Sequence, residues 1–192
     1  MEGVAHGMTA RIGILISGRG SNMQALIENA GNSYEVVVVA SDKPDAAGIA
    51  WARERGIPTF ALSPKDVGKL AYEAALDAHL HAVAAQYLAL GGYMRLLSDD
   101  FVGRWRDRIV NIHPSLLPKY KGLDTHARAL AAGDAEAGCS VHLVTEELDG
   151  GAVLGQTRVP VLAGDTPDTL AARVLVEEHR LYPKVLAEFV TR

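Results

Sequence analysis

The chain has 192 residues, of which 48% are hydrophobic and 22% charged, and its formal net charge at pH 7 is -4. This composition is typical of one globular domain and excludes an intrinsically disordered protein. There is no run of Lys and Arg for nucleic acid, no apolar stretch of the ~20 residues that span a bilayer, and only one cysteine. We therefore expect a cytoplasmic protein without nucleic-acid or membrane partners, with residues 1–10 as a flexible extension before one domain.

The first part of the domain alternates short apolar runs with helical patterns. The apolar runs, rich in β-branched residues, predict strands at residues 11–17, 34–41, 59–62, 87–90 and 109–112. Apolar residues spaced three and four apart predict helices at residues 23–30, 46–55, 67–85 and, capped by Ser98, 98–105. This alternation indicates right-handed crossovers, so we expect an open, mostly parallel α/β sheet covered on both faces.

The pattern changes after Gly138. Residues 140–145 and 152–161 predict two longer strands joined through Asp149 and the glycines that follow it. A final helix is predicted from Pro167 to about residue 190, with Thr166 as its N-cap. The predicted fold is doubly wound and Rossmann-like, with C-terminal strands and a long terminal helix.

A glycine-containing turn follows the first strand, at the sheet edge where ligands of open parallel sheets bind. Gly18 and Gly20 let the backbone approach a ligand, and the amides that open the next helix favour an anion. The turn also matches the first two glycines of a dinucleotide fingerprint, with Asp42 near the ribose-binding position, but Met23 replaces the third glycine. The turn predicts a phosphate site, with a NAD site or a turn without ligand as alternatives.

A polar pair ends the fifth predicted strand. Asn111 and His113 are two residues apart, so their side chains share a face, and Pro114 ends the strand. An amide can donate to a developing oxyanion, imidazole moves protons near neutral pH, and a carboxylate such as Asp149 can orient a histidine. Since no motif marks a Ser or Cys nucleophile, the pair favours acyl or related transfer by direct amine attack. A purely structural histidine is the alternative.

Several long motifs in order resemble the folate-dependent formyltransferases over residues 11–190: ISGRGSN at 16–22, GYMRLLS at 92–98, NIHPSLLPKYKG at 111–122 and SVHLVTEELDGG at 140–151. The resemblance implies a single formyltransferase domain over residues 11–192. Its phosphate-binding half would be residues 11–110, and its folate-binding and catalytic half residues 111–192. It also implies formyl transfer from 10-formyltetrahydrofolate, as donor co-substrate, to the amine of glycinamide ribonucleotide in purine biosynthesis.

The resemblance further implies roles for single residues. The matching catalytic residues are Asn111 and His113, which would stabilise the oxyanion formed by direct attack, and Asp149, which would assist proton transfer. The matching substrate-binding residues are Gly18, Arg19, Gly20, Ser21, Asn22 and, as a ribose contact, Glu178. The matching folate-binding residues are Met94, Arg95, Leu96, Leu97, Thr145, Glu146 and Glu147. Leu175 departs from relatives that carry a polar residue there. As isolated residues, Met94, Leu96 and Leu97 also fit a core, and Glu178 a solvated helix face.

Other functions stay open at this point. Related formyltransferases act on methionyl-tRNA or amino sugars, and one relative hydrolyses formylfolate. A nucleotide- or folate-binding module without turnover is a non-enzymatic alternative. No metal is expected, because His79 and His81 are two apart on a helix and diverge. The chain is expected to be a monomer or a homodimer.

Overall fold

The computed structural model describes residues 9–192, so residues 1–8 of the predicted extension lie outside it. Within that range the strands are β1 Ala10–Ile16, β2 Tyr34–Ser41, β3 Thr59–Ala61, β4 Tyr87–Leu90, β5 Ile109–His113, β6 Glu136–Leu143 and β7 Val153–Pro160. They form one sheet in the order β3-β2-β1-β4-β5-β6-β7. Strands β1 to β5 are parallel, and β6 is antiparallel to both β5 and β7. The mostly parallel α/β sheet is therefore confirmed.

The helices of the same range are α1 Ser21–Glu28, α2 Ala47–Glu54, α3 Pro64–Val67, α4 Lys69–Ala82, α5 Asp99–Arg104, α6 Thr125–Ala131 and α7 Pro167–Val190. The predicted caps are confirmed, since Ser98 accepts from Phe101 N at 3.2 Å and Thr166 from Thr169 N at 3.3 Å. The prediction of one continuous helix over residues 67–85 is wrong. Gly68, at φ +86°, separates α3 from α4. None of these helices has the length and apolar character of a membrane span.

The two faces of the sheet bury separate clusters because side chains alternate along each strand. Ile12, Ile14 and Ile16 of β1 face the cluster formed with α1, α2 and α7. Leu15, between them, faces the cluster formed with α4 and α5. Helices therefore cover both faces, as predicted, and the carboxyl edge of the parallel strands is left for a ligand.

The last helix is fastened to the centre of the sheet by Tyr182. This side chain is fully buried, and its hydroxyl lies 3.0 Å from Leu90 O of β4 and 3.1 Å from Val110 O of β5. The hydroxyl thus bridges carbonyl groups of two neighbouring strands. Burial raises the pKa of Tyr182 well above its ordinary value, so the hydroxyl keeps its proton as a donor.

The order of strands places two loops side by side at the carboxyl edge. The chain leaves β1 toward β2 on one side of it, whereas β4 lies on the other side. The turn after β1 and the loop after β4 therefore flank the crevice where the strand order reverses. Ser17 N, directly after β1, donates to Gly92 O, shortly after β4, at 3.1 Å.

Candidate active site

The glycine turn over residues 18–22 presents backbone rather than side chains. Gly20 precedes α1 with a left-handed backbone at φ +72°, which favours glycine. From the opposite side, Gly48 of α2 donates its N–H to Gly18 O at 3.0 Å. A Cβ at Gly48 would lie only 3.0 Å from that carbonyl oxygen, so a glycine is required beneath the turn. Sequence reasoning missed this support, because Gly48 has the spacing of an ordinary helix residue.

No side chain in the described part of the chain caps α1. Its first amides are therefore free to bind an anion. Gly18 and Arg19 are exposed, and Ser21 is half-buried. Of the residues predicted to bind phosphate, Gly18, Arg19 and Ser21 are thus accessible at the helix start, whereas Gly20 and Asn22 are buried.

Asn22 and Glu178 form a buried pair between α1 and α7. Asn22 Nδ2 donates to Glu178 Oε2 at 2.8 Å. Burial raises the pKa of Glu178, and the Asn22 hydrogen bond and the nearby His113 oppose that rise. The interpretation of Glu178 as a solvated helix charge is therefore wrong, because α7 turns this residue toward the sheet. Leu175, one turn earlier, is half-buried.

His113 lies between a backbone carbonyl and a carboxylate. Its Nε2 is 2.9 Å from Tyr120 O, and its Nδ1 is 3.5 Å from Asp149 Oδ2. A carbonyl oxygen only accepts, so Nε2 carries a hydrogen that is directed at Tyr120. Nδ1 is therefore the ring atom at which a proton can be taken up or released.

Asn111 contacts a second histidine that sequence reasoning missed. Antiparallel pairing places His142 of β6 opposite Asn111, with Asn111 Nδ2 3.2 Å from His142 Nε2. His142 Nδ1 donates to Leu143 O at 2.9 Å, which leaves Nε2 as an acceptor in the neutral ring. Burial lowers the pKa of His142, against the opposing effects of Leu143 O and Asp149, so the neutral form is favoured.

This contact orients the Asn111 amide. One amide hydrogen is directed at His142, and the second is free for another acceptor. The signal for His142 was present in the sequence, since it lies in the motif that ends at Asp149. Its pairing with Asn111 depends on the register of β5 and β6, which a single sequence does not specify.

Asp149 is held in place by the loop after β5. Gly122 N donates to Asp149 Oδ2 at 2.8 Å, and Asp149 Oδ1 lies 3.5 Å from His142 Nε2. Asp149 has a left-handed backbone at φ +48°, a conformation that aspartate tolerates better than most residues. Its side chain is therefore buried between the two histidines, close to the position predicted for a residue that orients His113.

The loop that supplies Tyr120 and Gly122 is anchored by β6. Ser140 Oγ donates to Ser115 O at 2.7 Å and accepts from Leu117 N at 3.1 Å. Lys121 Nζ also pairs with Glu147 at 2.7 Å. These contacts hold the loop whose backbone atoms bind His113 and Asp149.

The loop after β4 presents apolar side chains to solvent. Met94 and Leu96 are 66% and 67% exposed, whereas Leu97 is half-buried against the core. The interpretation of all three as core is therefore wrong for Met94 and Leu96. Exposed apolar side chains beside a polar site are typical of a surface that a flat ligand covers. Arg95 Nη1 lies 4.0 Å from Asp42 Oδ2.

Asp42 does not have the exposure that a ribose-binding acid requires. It is buried and accepts from Ser17 Oγ at 2.6 Å. Met23, in place of the third glycine, is buried in the core. The structure therefore gives no support to the dinucleotide alternative.

The remaining residues predicted to bind folate lie in the β6–β7 loop and contact other exposed residues. Thr145 Oγ1 donates to Glu147 O at 3.3 Å, and Glu146 pairs with Arg106 at 2.7 Å. The divergence of the histidines on α4 is confirmed, since His79 packs on Phe60 and His81 stacks on Trp105. Over residues 9–192, no cluster of three or more His, Cys, Asp or Glu could hold a metal ion.

Comparison with known proteins gives a consistent result. The family model described as formyl transferase matches residues 10–186. Phosphoribosylglycinamide formyltransferase of Escherichia coli (strain K12) is 47% identical over 180 residues, covering 92% of this chain and 85% of that protein. The trifunctional purine biosynthetic protein adenosine-3 of Drosophila melanogaster is 45% identical, over 94% of this chain but 14% of that longer protein. A crystal structure of phosphoribosylglycinamide formyltransferase from Brucella melitensis has a TM-score of 0.91 at 52% identity, covering 96% and 97% of the chains.

Proposed function

The chain belongs to the formyl transferase family, and from that membership we propose that it transfers a formyl group from 10-formyltetrahydrofolate to the amine of glycinamide ribonucleotide. The observation that carries the proposal is the convergence of Asn111, which is half-buried, with the buried side chains of His113 and Asp149. These groups suit the transfer of an acyl carbon between two nitrogens. The step belongs to purine biosynthesis, as the names of the relatives indicate.

In the proposed reaction the substrate amine attacks the formyl carbon directly. A bond forms between that nitrogen and the carbon, and the bond between the carbon and the folate nitrogen breaks. The free amide hydrogen of Asn111 donates to the formyl oxygen as negative charge develops there. His113 Nδ1 exchanges a proton with the reacting groups, so that the proton lost by the amine balances the one gained by folate.

Asp149 is proposed to orient His113 and to assist the proton transfer. Its carboxylate lies 3.5 Å from Nδ1, within reach of a bridging water. The neutral His142 holds the Asn111 amide in place without competing for the proton, because burial lowers its pKa. This division leaves one histidine to move the proton and one to orient the amide.

The glycine turn is proposed to bind the phosphate of the ribonucleotide. The free amides at the start of α1, with Ser21 and Asn22, supply donors to a dianion. Glu178, held by Asn22, is proposed to accept from a ribose hydroxyl. Gly18 and Arg19 complete this surface, Arg19 as an exposed cation.

The loop after β4 and the β6–β7 loop are proposed to bind the folate. Met94 and Leu96 offer apolar surface to its ring, and backbone groups of Arg95 to Leu97 offer hydrogen bonds to its edge. Thr145 to Glu147 are proposed to border the same pocket. The exposure of Met94 and Leu96 supports the assignment of this loop to the folate ring.

A cytoplasmic location and a monomer or homodimer remain parts of this proposal. The single cysteine, Cys139, is free and buried, and burial raises the pKa of its thiol to about 12. A buried thiol of this kind is unreactive.

The test is an assay of formyl transfer from 10-formyltetrahydrofolate, with release of tetrahydrofolate followed by absorbance. Glycinamide ribonucleotide, its riboside without phosphate, an amino sugar and methionyl-tRNA are compared as acceptors. We expect turnover with the ribonucleotide and at least a roughly 100-fold lower kcat/KM for the riboside, because charged hydrogen bonds to the phosphate are lost. Equal rates for ribonucleotide and riboside would contradict the phosphate site. Turnover with another acceptor only would contradict the proposed substrate.

A further inference from the structure

A buried polar pair joins the glycine turn to the loop over residues 91–98, called here the β4–α5 loop. Ser17 and Asp42 are only 3% and 5% exposed. Ser17 Oγ is 2.6 Å from Asp42 Oδ1 and 2.9 Å from Met94 N. Since an amide donates and a carboxylate accepts, the hydroxyl accepts from Met94 and donates to Asp42. Together with Ser17 N, which donates to Gly92 O, this gives Ser17 two contacts to the same loop.

The other end of the β4–α5 loop is fixed by a second buried carboxylate. Glu73 of α4 accepts from Ser98 N at 2.9 Å and from the Ser98 hydroxyl. Side chains from outside the loop therefore hold both of its ends, while Met94 and Leu96 between them stay exposed. A loop with fixed ends and an exposed apolar centre is preorganised for a ligand.

We propose that Ser17 and Asp42 are positioning residues, which set the β4–α5 loop against the glycine turn and so preorganise the folate-binding wall. The inference rests on the proposed function, since that function makes this loop the wall. Asp42 contacts the β4–α5 loop through Ser17, which holds the Met94 backbone, and through Arg95, whose Nη1 lies 4.0 Å from Asp42 Oδ2. The glycine turn itself has separate support from Gly48, so its phosphate site does not depend on the pair.

The proposal is tested by steady-state kinetics of Ser17→Ala and Asp42→Ala, with both substrates varied. We expect KM for 10-formyltetrahydrofolate to rise roughly three- to tenfold, the range for loss of one hydrogen bond. We expect kcat and KM for glycinamide ribonucleotide to stay within about twofold, because the reacting groups and the glycine turn keep their own contacts. The rise in the folate KM of the double variant should be smaller than the product of the two single rises, because Ser17 and Asp42 share the contact to Met94.

The matched control is Asp45→Ala, which removes the same charge from an exposed position three residues away. It should leave both KM values unchanged. Asp42→Asn retains an acceptor for Ser17. Its KM for 10-formyltetrahydrofolate should therefore be close to the wild-type value, unlike that of Asp42→Ala. A folate KM equal to wild type in both alanine variants, or a parallel rise of both KM values, overturns the proposal. If Asp42→Ala does not fold by circular dichroism, Ser17→Ala, which removes one oxygen atom, decides alone.

Two different measurements test the proposed function and the positioning role of Ser17 and Asp42. Wild-type protein that does not formylate glycinamide ribonucleotide overturns the function. In that case calorimetry with tetrahydrofolate, which requires no turnover, is applied to wild type and Ser17→Ala. A Kd that rises roughly three- to tenfold supports the positioning role, and an unchanged Kd overturns it.

Discussion

The two halves of the candidate site differ in whether backbone or side-chain groups form them. The glycine turn consists of backbone from five consecutive residues, shaped by Gly20 and supported by Gly48. The cluster at the end of β5 consists of side chains, and its members come from β5, β6 and the β6–β7 loop: Asn111, His113, His142 and Asp149. Local sequence determines the first half almost completely. The second half exists only after distant segments have packed.

This difference determines how each half should respond to substitution. A backbone site changes when a residue forces the turn into another conformation, and the expected effect is on ligand affinity. A side-chain cluster changes when one functional group is removed, and the expected effect is on the rate of reaction. The following predictions test that contrast, in order of decreasing effect.

The largest effect is expected from His113→Ala. Loss of the group proposed to exchange the proton should lower kcat about 100- to 1000-fold, while KM for the ribonucleotide changes little. Formyl-transfer kinetics measure both constants. The control is His81→Ala on α4, because this histidine is exposed and stacks on Trp105 away from the cluster. Near wild-type turnover in a folded His113→Ala protein would remove this residue from the mechanism.

The second effect concerns Gly20→Ala. A side chain at φ +72° costs about 1–2 kcal/mol, and the added Cβ would lie 3.0 Å from Met23 Cε. Because the turn relaxes away from that strain, KM for the ribonucleotide should rise roughly tenfold at nearly constant kcat. Gly31→Ala is the matched control, since it has φ +53° and open space around its Cβ. It should lower stability without changing KM, and equal KM changes in both variants would show that the turn is not the phosphate site.

The third effect is a pH dependence carried by His142. Burial lowers its pKa below the unfolded value of 6.5, so the unfolded state binds more protons as pH falls below that value. Stability is therefore full above pH 6.5 and decreases toward the folded pKa, by at most about 1.4 kcal/mol per pH unit. His142→Gln should flatten this slope in urea unfolding measured from pH 7.5 downward. Identical slopes in wild type and His142→Gln would contradict the buried neutral histidine.

The smallest effect is expected from Glu178→Gln. Burial raises the folded pKa of this carboxyl above 4.5, so stability is fully present below pH 4.5 and is lost as pH rises through the folded pKa. The neutral amide removes that cost and keeps an acceptor for Asn22, so Tm at pH 7.5 should rise by about 2–4 °C.

The neighbouring Glu177→Gln is the control for that variant, because Glu177 forms a surface pair with Arg180 at 2.7 Å. Its Tm should be close to wild type. A lower Tm in Glu178→Gln would show that the charged carboxylate stabilises the fold. The Glu178→Gln protein should also bind the ribonucleotide more weakly, and unchanged KM would argue against the ribose contact.

The parts of the fold predicted from sequence are those with a local cause. The apolar runs of β1 and β2, the Ser98 and Thr166 caps and the glycine turn each depend on neighbouring residues. Where a local signal was misjudged, a single residue accounts for it. Gly68 divides the helix expected over residues 67–85, and α6 is a short element inside a loop whose sequence has no strong periodicity.

The contacts that sequence could not predict depend on register and tertiary packing. The start of β6 at Glu136 was missed because Gly138 is a weak strand former, yet β7 pairs with it. The partnership of Asn111 with His142 and of Ser17 with Asp42 required the strand order. Glu178 was ambiguous for the same reason, since its burial depends on which face of α7 meets α1.

The hydrogen bonds of Tyr182 to β4 and β5 have a consequence for the order in which the chain folds during translation. The ribosome completes all seven strands before it translates α7, so a nascent chain has the sheet residues but lacks the hydroxyl that bridges β4 and β5. It also lacks Glu178, the partner of Asn22. The two strands that lead to the β4–α5 loop and to His113 pair through their own backbones, but the side-chain bridge between them is added only after this helix has been translated.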